Sequence, residues 1–285
     1  RYSNVKVVGT RHCFNRIADT FKAESGAKGL NVHVCLQHLM QNWVDQRVIP
    51  GEEKKGPQPI VTFGAGHTYS QLINVVDREG YAIENLPSLP HINVVGSMLT
   101  ITHGSGHNHQ ILAALIVEFD MVMADGTLKT FKKGETPFFD HYLLHYGGIG
   151  IVTQMSIRIV PRFNVNKQIF QDLQWDSLRK DFSTIINKQN FLSFFSKFTE
   201  RKMTTVWVGR SYQPGSQPPA EVESYHGAPK IKEERTHPVG PEQDSSVCVT
   251  VGNGPWKEKI YHFLPDRPPS SGGQEIQTEY FIKVS

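Results

Sequence analysis

The sequence predicts a mixed α+β fold in two units, divided near residue 162. Length is the first observation: 285 residues exceed one ordinary domain, and an apolar fraction of 38% can fill two cores. Alternation is the second: the first third sets strand-like apolar runs between short helical patterns. Punctuation is the third: glycine-rich turns lie next to apolar runs at Gly9, between Gly96 and Gly106, and between Gly147 and Gly150.

Residues 6–8 read as a strand entering the first glycine turn, and 30–36 as a second apolar run. Residues 51–59 (GEEKKGPQP) are polar and turn-rich, so a loop is expected before the strand at 60–63 and the turn Gly64-Ala65-Gly66. Thr68-Tyr69-Ser70-Gln71 has the form of a capping box, followed by Leu72, Ile73, Val75 and Val76. Gly80 stands where a helix-ending glycine belongs, and the spacing predicts a helix over 69–79. Asp125-Gly126 between the runs 114–124 and 128–131 predicts a hairpin. The turn at 145–153 (HYGGIGIVT) runs into a strand over 154–160, closed by Pro161. Beyond the division, strand-like text resumes at Phe163 and a polar helix is expected over 177–188. Trp207, within the run 204–209, reads as strand core. Residues 211–245 hold most of the proline-rich polar text and predict a long surface excursion. Residues 279–284 read as a final strand, and no internal repeat is found.

Composition narrows the function. Thirty basic and 27 acidic residues give a net charge of +3 without a basic block, which argues against a dedicated nucleic-acid binder. Cys13, Cys35 and Cys248 have no CxxC spacing, so neither a disulfide framework nor a zinc ribbon is expected. No run of 18 apolar residues exists, and no signal peptide is seen. The compartment stays open, with the cytoplasm favoured. A chain that starts at Arg1 and soon enters a strand reads as a fragment or a processed product.

The stretch 85–106 (NLPSLPHINVVGSMLTITHGSG) combines Gly96, Gly104 and Gly106 with the hydroxyls of Ser88, Ser97, Thr100, Thr102 and Ser105. Bare N–H groups and hydroxyls at close range suit a diphosphate. A second such loop, Gly9-Thr10-Arg11-His12-Cys13-Phe14-Asn15, follows the apolar run 5–8. The pair points to a bound cofactor. On spacing alone His12 is a loop-lining histidine, while a neutral imidazole nitrogen is also nucleophilic enough to bond an activated methyl group. His103, His107 and His109 match no compact metal-ligand pattern, and His107 and His109 read as loop surface. Gly147-Gly148-Ile149-Gly150 lacks the dinucleotide fingerprint. Arg11, Asn15, Asp19 and Asn85 read as solvated loop residues.

Taken together, these loops resemble the alditol oxidases and sugar-1,4-lactone oxidases of the vanillyl-alcohol-oxidase group of flavoproteins. The matching text runs from Gly9–Thr20 through Gly64–Tyr69, Leu89–Ser97, Thr102–Gly106 and Gly147–Gly150 to Asp266–Gly272 and Gln277–Phe281. The resemblance implies an α+β fold: a two-part FAD-binding domain over 1–162, lacking its start, then a substrate or cap domain over 163–285, lacking its end. It implies FAD bound covalently through His12, with Val7, Val8, Gly9, Thr10, Arg11, His12 and Cys13 around the pyrophosphate and ring edge. Ser97 would face the substrate over the flavin, with Gln277 also on the catalytic side. Thr102, Ser105, Gly106, His107 and Asn108 would continue the cofactor contacts, and Val152 would meet the adenine side through its backbone.

The implied reaction oxidises the CH–OH group of a polyol or sugar lactone, with oxygen as acceptor and hydrogen peroxide as product. The expected partners are thus a small substrate and oxygen, with no nucleic acid and no membrane span. Three departures stand out: Cys13 replaces the usual serine, Ile101 stands where glycine is common, and the sequence stops before the Glu–Arg pair and Lys of the family cap. An isoleucine at 101 would forbid a positive φ and crowd the flavin. The alternative reading is a truncated, non-catalytic flavin-binding remnant.

Overall fold

The first strand, β1 (Tyr2–Val8), pairs in parallel with β2 (Leu30–Cys35) and delivers the chain into the loop at Gly9. The structure is a computed structural model that describes residues 2–13, 15–19, 30–267 and 278–283. β3 (Asn42–Arg47) and β4 (Gln58–Gly64) form an antiparallel pair around the polar 51–57 loop. α1 (Tyr69–Arg78) opens with the capping box of Thr68 and Gln71 and buries Tyr69, Leu72, Ile73 and Val76. Those positions recur at helical spacing, so one stripe faces the core. β5 (Tyr81–Ala82) follows, and then the five-residue α2 (Val94–Met98), whose N-cap Asn93 accepts from the Gly96 N–H.

β6 (Ile116–Met123) and β7 (Leu128–Lys132) form the hairpin expected at Asp125-Gly126. β8 (Gly150–Arg158) starts at the last glycine of its turn rather than at 154, because Gly150 already pairs with Met123. The result is an antiparallel five-stranded sheet in the order β3-β4-β8-β6-β7. β9 (Val160–Pro161) pairs with β5.

β10 (Asn164–Gln174), β11 (Phe191–Phe195), β12 (Lys202–Tyr212) and β15 (Gly252–Pro255) form a second antiparallel sheet in the order β11-β12-β10-β15. α3 (Trp175–Asn187) begins two residues before the expected start and breaks at Asp181. α4 (Trp256–Lys259) follows β15 directly.

Two expectations are corrected. The 211–245 segment does not stay wholly on the surface: β13 (Ser224–Tyr225) and β14 (Ala228–Pro229) form a small hairpin that buries Tyr225 and Ala228 against Phe170. Its proline-rich flanks hide that hairpin in the sequence. Residues 278–283 form no strand, although Tyr280, Phe281 and Ile282 are strand-prone; β-propensity expresses itself only against a pairing partner.

One apolar core joins the two sheets. It runs from Phe63, Tyr69, Leu72 and Met155 to Ile169, Trp207 and Trp256. Asp77 at the end of α1 reinforces that junction. It accepts from Trp256 Nε1 at 3.1 Å and Lys257 Nζ at 2.8 Å, and it pairs with Arg162. Among the described residues no helix is long and apolar enough to cross a membrane.

Candidate functional site

Three glycine turns converge on Asn93. Its backbone N–H donates to Thr10 Oγ1 at 3.1 Å, fixing the first loop. Its Nδ2 donates to the carbonyls of Ala65 at 2.8 Å and His67 at 3.1 Å, fixing the second. Its Oδ1 accepts from Gly96 N–H at 2.8 Å, capping α2. A β-carbon on Gly9 would lie 2.6 Å from the Asn93 β-carbon, so only glycine lets the loops meet this closely. Sequence reasoning gave Asn93 no role, because the two loops it ties to α2 lie 26 to 83 residues away.

Val7 and Val8 end β1, partly buried in Val7 and exposed beyond Val8, and Gly9, Thr10, Arg11, His12 and Cys13 form an exposed loop. Arg11 adopts the left-handed backbone (φ 57°), and its guanidinium pairs with Asp19 at 3.3 Å. His33 Nε2 against the Ala18 carbonyl, at 3.0 Å, ties the end of this loop to β2. The His12 ring meets the His91 ring edge-on, with centroids 5.6 Å apart.

Ser97 lies buried in α2. Its hydroxyl donates to the Val94 carbonyl at 2.8 Å, so the bond to Tyr69 Oη at 2.7 Å has the tyrosine as donor. Complete burial pushes the Tyr69 phenol far above its ordinary value, which keeps that proton in place.

The Thr102–Asn108 loop bridges the two sheets. Thr102 Oγ1 bonds Thr100 Oγ1 at 2.9 Å, and its carbonyl accepts from Leu112. The Ser105 carbonyl accepts from Leu192 N–H in β11 at 2.9 Å. The Gly106 carbonyl accepts from His109, whose ring stacks on Phe191 of β11. His107 and Asn108 are exposed. A β-carbon on Gly104 would strike Asn85 Oδ1 at 2.0 Å. Asn85 is therefore no solvated loop residue: it is 2% exposed, held under this loop. Ile101 is not among the residues with left-handed backbone, so the backbone angle at 101 demands no glycine.

Val152 is buried in β8, beside Thr153, whose carbonyl accepts from Ala65 of the second turn. Gln277 lies outside the described residues. The segment after it returns to the loop: Glu279 lies 3.8 Å from His103 Nε2, and the Phe281 and His103 rings meet at 5.6 Å. Among the described residues no group of three His, Cys, Asp or Glu is arranged to hold a metal ion.

Two buried polar atoms around these loops have no hydrogen-bond partner among the described residues: Asn85 Nδ2 and His91 Nδ1. Buried polar atoms are rarely left so, and orphans beside glycine turns are what a polar ligand would satisfy.

Comparison with known proteins decides what this arrangement is related to. The chain is 34% identical over 224 residues to the alditol oxidase of a Streptomyces species, covering 78% of this chain and 51% of that protein. The chain is a homologue of the alditol and sugar-lactone oxidases. It is 30% identical over 162 residues to the D-arabinono-1,4-lactone oxidase of Saccharomyces cerevisiae, covering 56% of this chain and 30% of that protein. It is 29% identical over 215 residues to the L-gulonolactone oxidase of Scyliorhinus torazame, covering 75% and 44%. The chain thus spans about half the length of the alditol oxidase, and less of these two lactone oxidases. No family model matches it. Among solved structures, cholesterol oxidase from Brevibacterium sterolicum superposes with a TM-score of 0.60 at 17% identity, over 73% of this chain and 40% of that one. Over that stretch the chain has the mixed α/β fold of this oxidase.

Proposed function

We propose that this chain belongs to an FAD-dependent oxidase that converts the CH–OH group of a polyol or sugar lactone, with dioxygen as acceptor and hydrogen peroxide as product. The observation that carries the reading is the convergence of the His12 loop, the 64–67 turn and the 93–97 turn on Asn93, in a homologue of alditol oxidase. In this reading residues 1–162 bind the cofactor and 163–285 begin the cap.

The residues present fit FAD. Gly9, Thr10, Arg11, His12 and Cys13 offer an exposed run of backbone donors, suited to a diphosphate. Asn85 Nδ2 is a buried donor in search of an acceptor. Thr102, Ser105, Gly106, His107 and Asn108 extend the donor surface, and Val152 lines the far side. When bound, FAD supplies the two-electron acceptor for the oxidation.

The remaining work falls to the chain. Tyr69 donates to Ser97 and Ser97 donates to Val94, so Ser97 Oγ keeps one lone pair for a substrate hydroxyl. Ser97 orients that hydroxyl, with Gln277 as its companion on the catalytic side. Burial keeps the Tyr69 phenol protonated, so it has a proton to donate to Ser97.

His12 is the covalent attachment point in this reading, and the test is direct. The chain is denatured completely and its flavin fluorescence is followed. Wild-type protein should hold its flavin through denaturation, whereas His12→Ala should release whatever it binds. Flavin that stays fixed in His12→Ala would remove His12 from this role.

A further inference from the structure

We propose that Lys167 takes up carbon dioxide as a carbamate, with the buried indole N–H of Trp207 as a donor to the carbamate oxygens. Val165, Lys167 and Ile169 share one face of β10, because side chains alternate along a strand. Val165 and Ile169 are fully buried in the core. Lys167 stands between them, 4% exposed, where the pattern calls for an aliphatic residue. Its Nζ donates to the Tyr261 carbonyl at 2.6 Å and lies 5.0 Å from the centre of the Trp207 ring on β12. An ammonium has three protons to place, and this is its one hydrogen bond among the described residues.

A buried ammonium is costly unless an anion pairs with it. Among the described residues no carboxylate pairs with Lys167, and the groups that act on its charge are Lys259 and the Cys248 thiol. Burial pushes that thiol up to about 11, so it stays protonated and neutralises nothing. Lys259 is itself buried, its Nζ held by the Thr250 and Val251 carbonyls. Burial, and then Lys259, hold the Lys167 amine well below the ordinary lysine range, which frees its lone pair. A desolvated, unprotonated amine is a nucleophile. Trp207 supplies the other half: it is 3% exposed, and its Nε1 has no hydrogen-bond partner among the described residues. An orphan donor beside two buried amines calls for an anion with acceptor oxygens. Lys167 also lines, with Ile231, Val251 and Gly252, a cleft of about 270 Å³, ample for so small a molecule to enter.

In the covalent step the Nζ lone pair attacks the carbon of carbon dioxide. One C–N bond forms, one C=O π bond breaks onto its oxygen, and one N–H proton leaves to solvent; nothing is oxidised or reduced. The product is an anion that offsets Lys259 and offers the Trp207 N–H an acceptor. Acid protonates the carbamate and returns carbon dioxide and the ammonium, so the change is reversible. Its place gives it leverage on the fold. Tyr261, which holds Lys167, precedes His262, whose ring bonds Ser88 Oγ across the two halves of the chain. A ligand taken up by the folded chain alone stabilises that chain.

The test incubates the chain with isotopically labelled bicarbonate at mildly alkaline pH. Carbamates are then trapped by O-ethylation with a trialkyloxonium salt and located by peptide mass spectrometry. The folded wild-type chain should carry the label on Lys167, and chain denatured beforehand should not. Bicarbonate should also raise the unfolding temperature of the wild type relative to chloride at equal ionic strength, and leave Lys167→Arg, which keeps a cation but forms no stable carbamate, unmoved. In Trp207→Phe the bicarbonate concentration for half-labelling should rise about tenfold, the weight of one buried hydrogen bond to a charged group. Folded wild-type chain without label on Lys167 overturns the proposal, and so does equal labelling of Lys167 in the denatured chain, which would be ordinary amine chemistry. Half-labelling unchanged in Trp207→Phe overturns the part given to the indole.

Discussion

Asn93 shows what one side chain can do at the residue scale. A single amide satisfies two carbonyls and one N–H, and its own backbone N–H reaches a fourth group, so four anchor points in three loops share one residue. Asn93→Ala removes the cap of α2 and strands the Ala65 and His67 carbonyls. The expected loss is about 2 kcal/mol of stability, read by denaturant unfolding. Retained FAD should also weaken, because the His12 loop loses its alignment with α2. An Asn93→Ala protein with unchanged stability and unchanged FAD affinity would show that the loops hold their positions independently. Glycine turns and hydroxyl clusters were legible in the sequence, since they are local. Asn93, Asn85 and His91 were not, because each acts on a partner that only folding brings near.

At the scale of elements, α1 carries the plainest agreement between sequence and structure. The capping box, the apolar stripe and the glycine after the last turn were all written locally, and the helix ends within a residue of its expected limit. Gln71 Oε1 accepts from the Thr68 N–H at 2.9 Å, closing the box. Thr68→Ala should cost about 1 kcal/mol, measured as a shift in unfolding midpoint at constant slope. Tyr69, the first residue of α1, holds Ser97, so the same variant tests whether fraying of the helix start reaches the site. The elements that diverged from expectation are short or edge-like. The 224–229 hairpin hides within proline-rich text, and the 278–283 segment, strand-prone in composition, forms no strand.

Across the whole molecule, His262 ties the second sheet to the loop that precedes His91. Its ring nitrogen meets Ser88 Oγ at 2.8 Å, and its ring packs on Trp207 at 4.9 Å and Phe195 at 5.6 Å. Burial, with Lys167 nearby, pushes its pKa down from 6.5 to about 3. The folded protein therefore keeps His262 neutral where the unfolded chain would protonate it. Its contribution is complete above pH 6.5 and declines as the pH falls toward about 3. The slope approaches about 1.4 kcal/mol per pH unit from this group alone. His67, His91 and His145 are shifted the same way by burial and add in the same direction. Unfolding measured across that window should show a shallower pH dependence in His262→Gln, which keeps a polar partner for Ser88 but does not titrate. Equal slopes in the two proteins would sink the assignment.

The sequence by itself determined the α+β class, the capped helix, the hairpin at Asp125-Gly126 and the loops whose text matches the alditol and lactone oxidases. All of these depend on residues close together in the chain, where spacing and turn chemistry suffice. Only the tertiary structure decided that Asn93 joins the loops, that His12 rests on His91, and that one core spans both sheets. Those contacts join residues tens to more than a hundred positions apart, and no local pattern records a partner that the chain meets only when its sheets have closed.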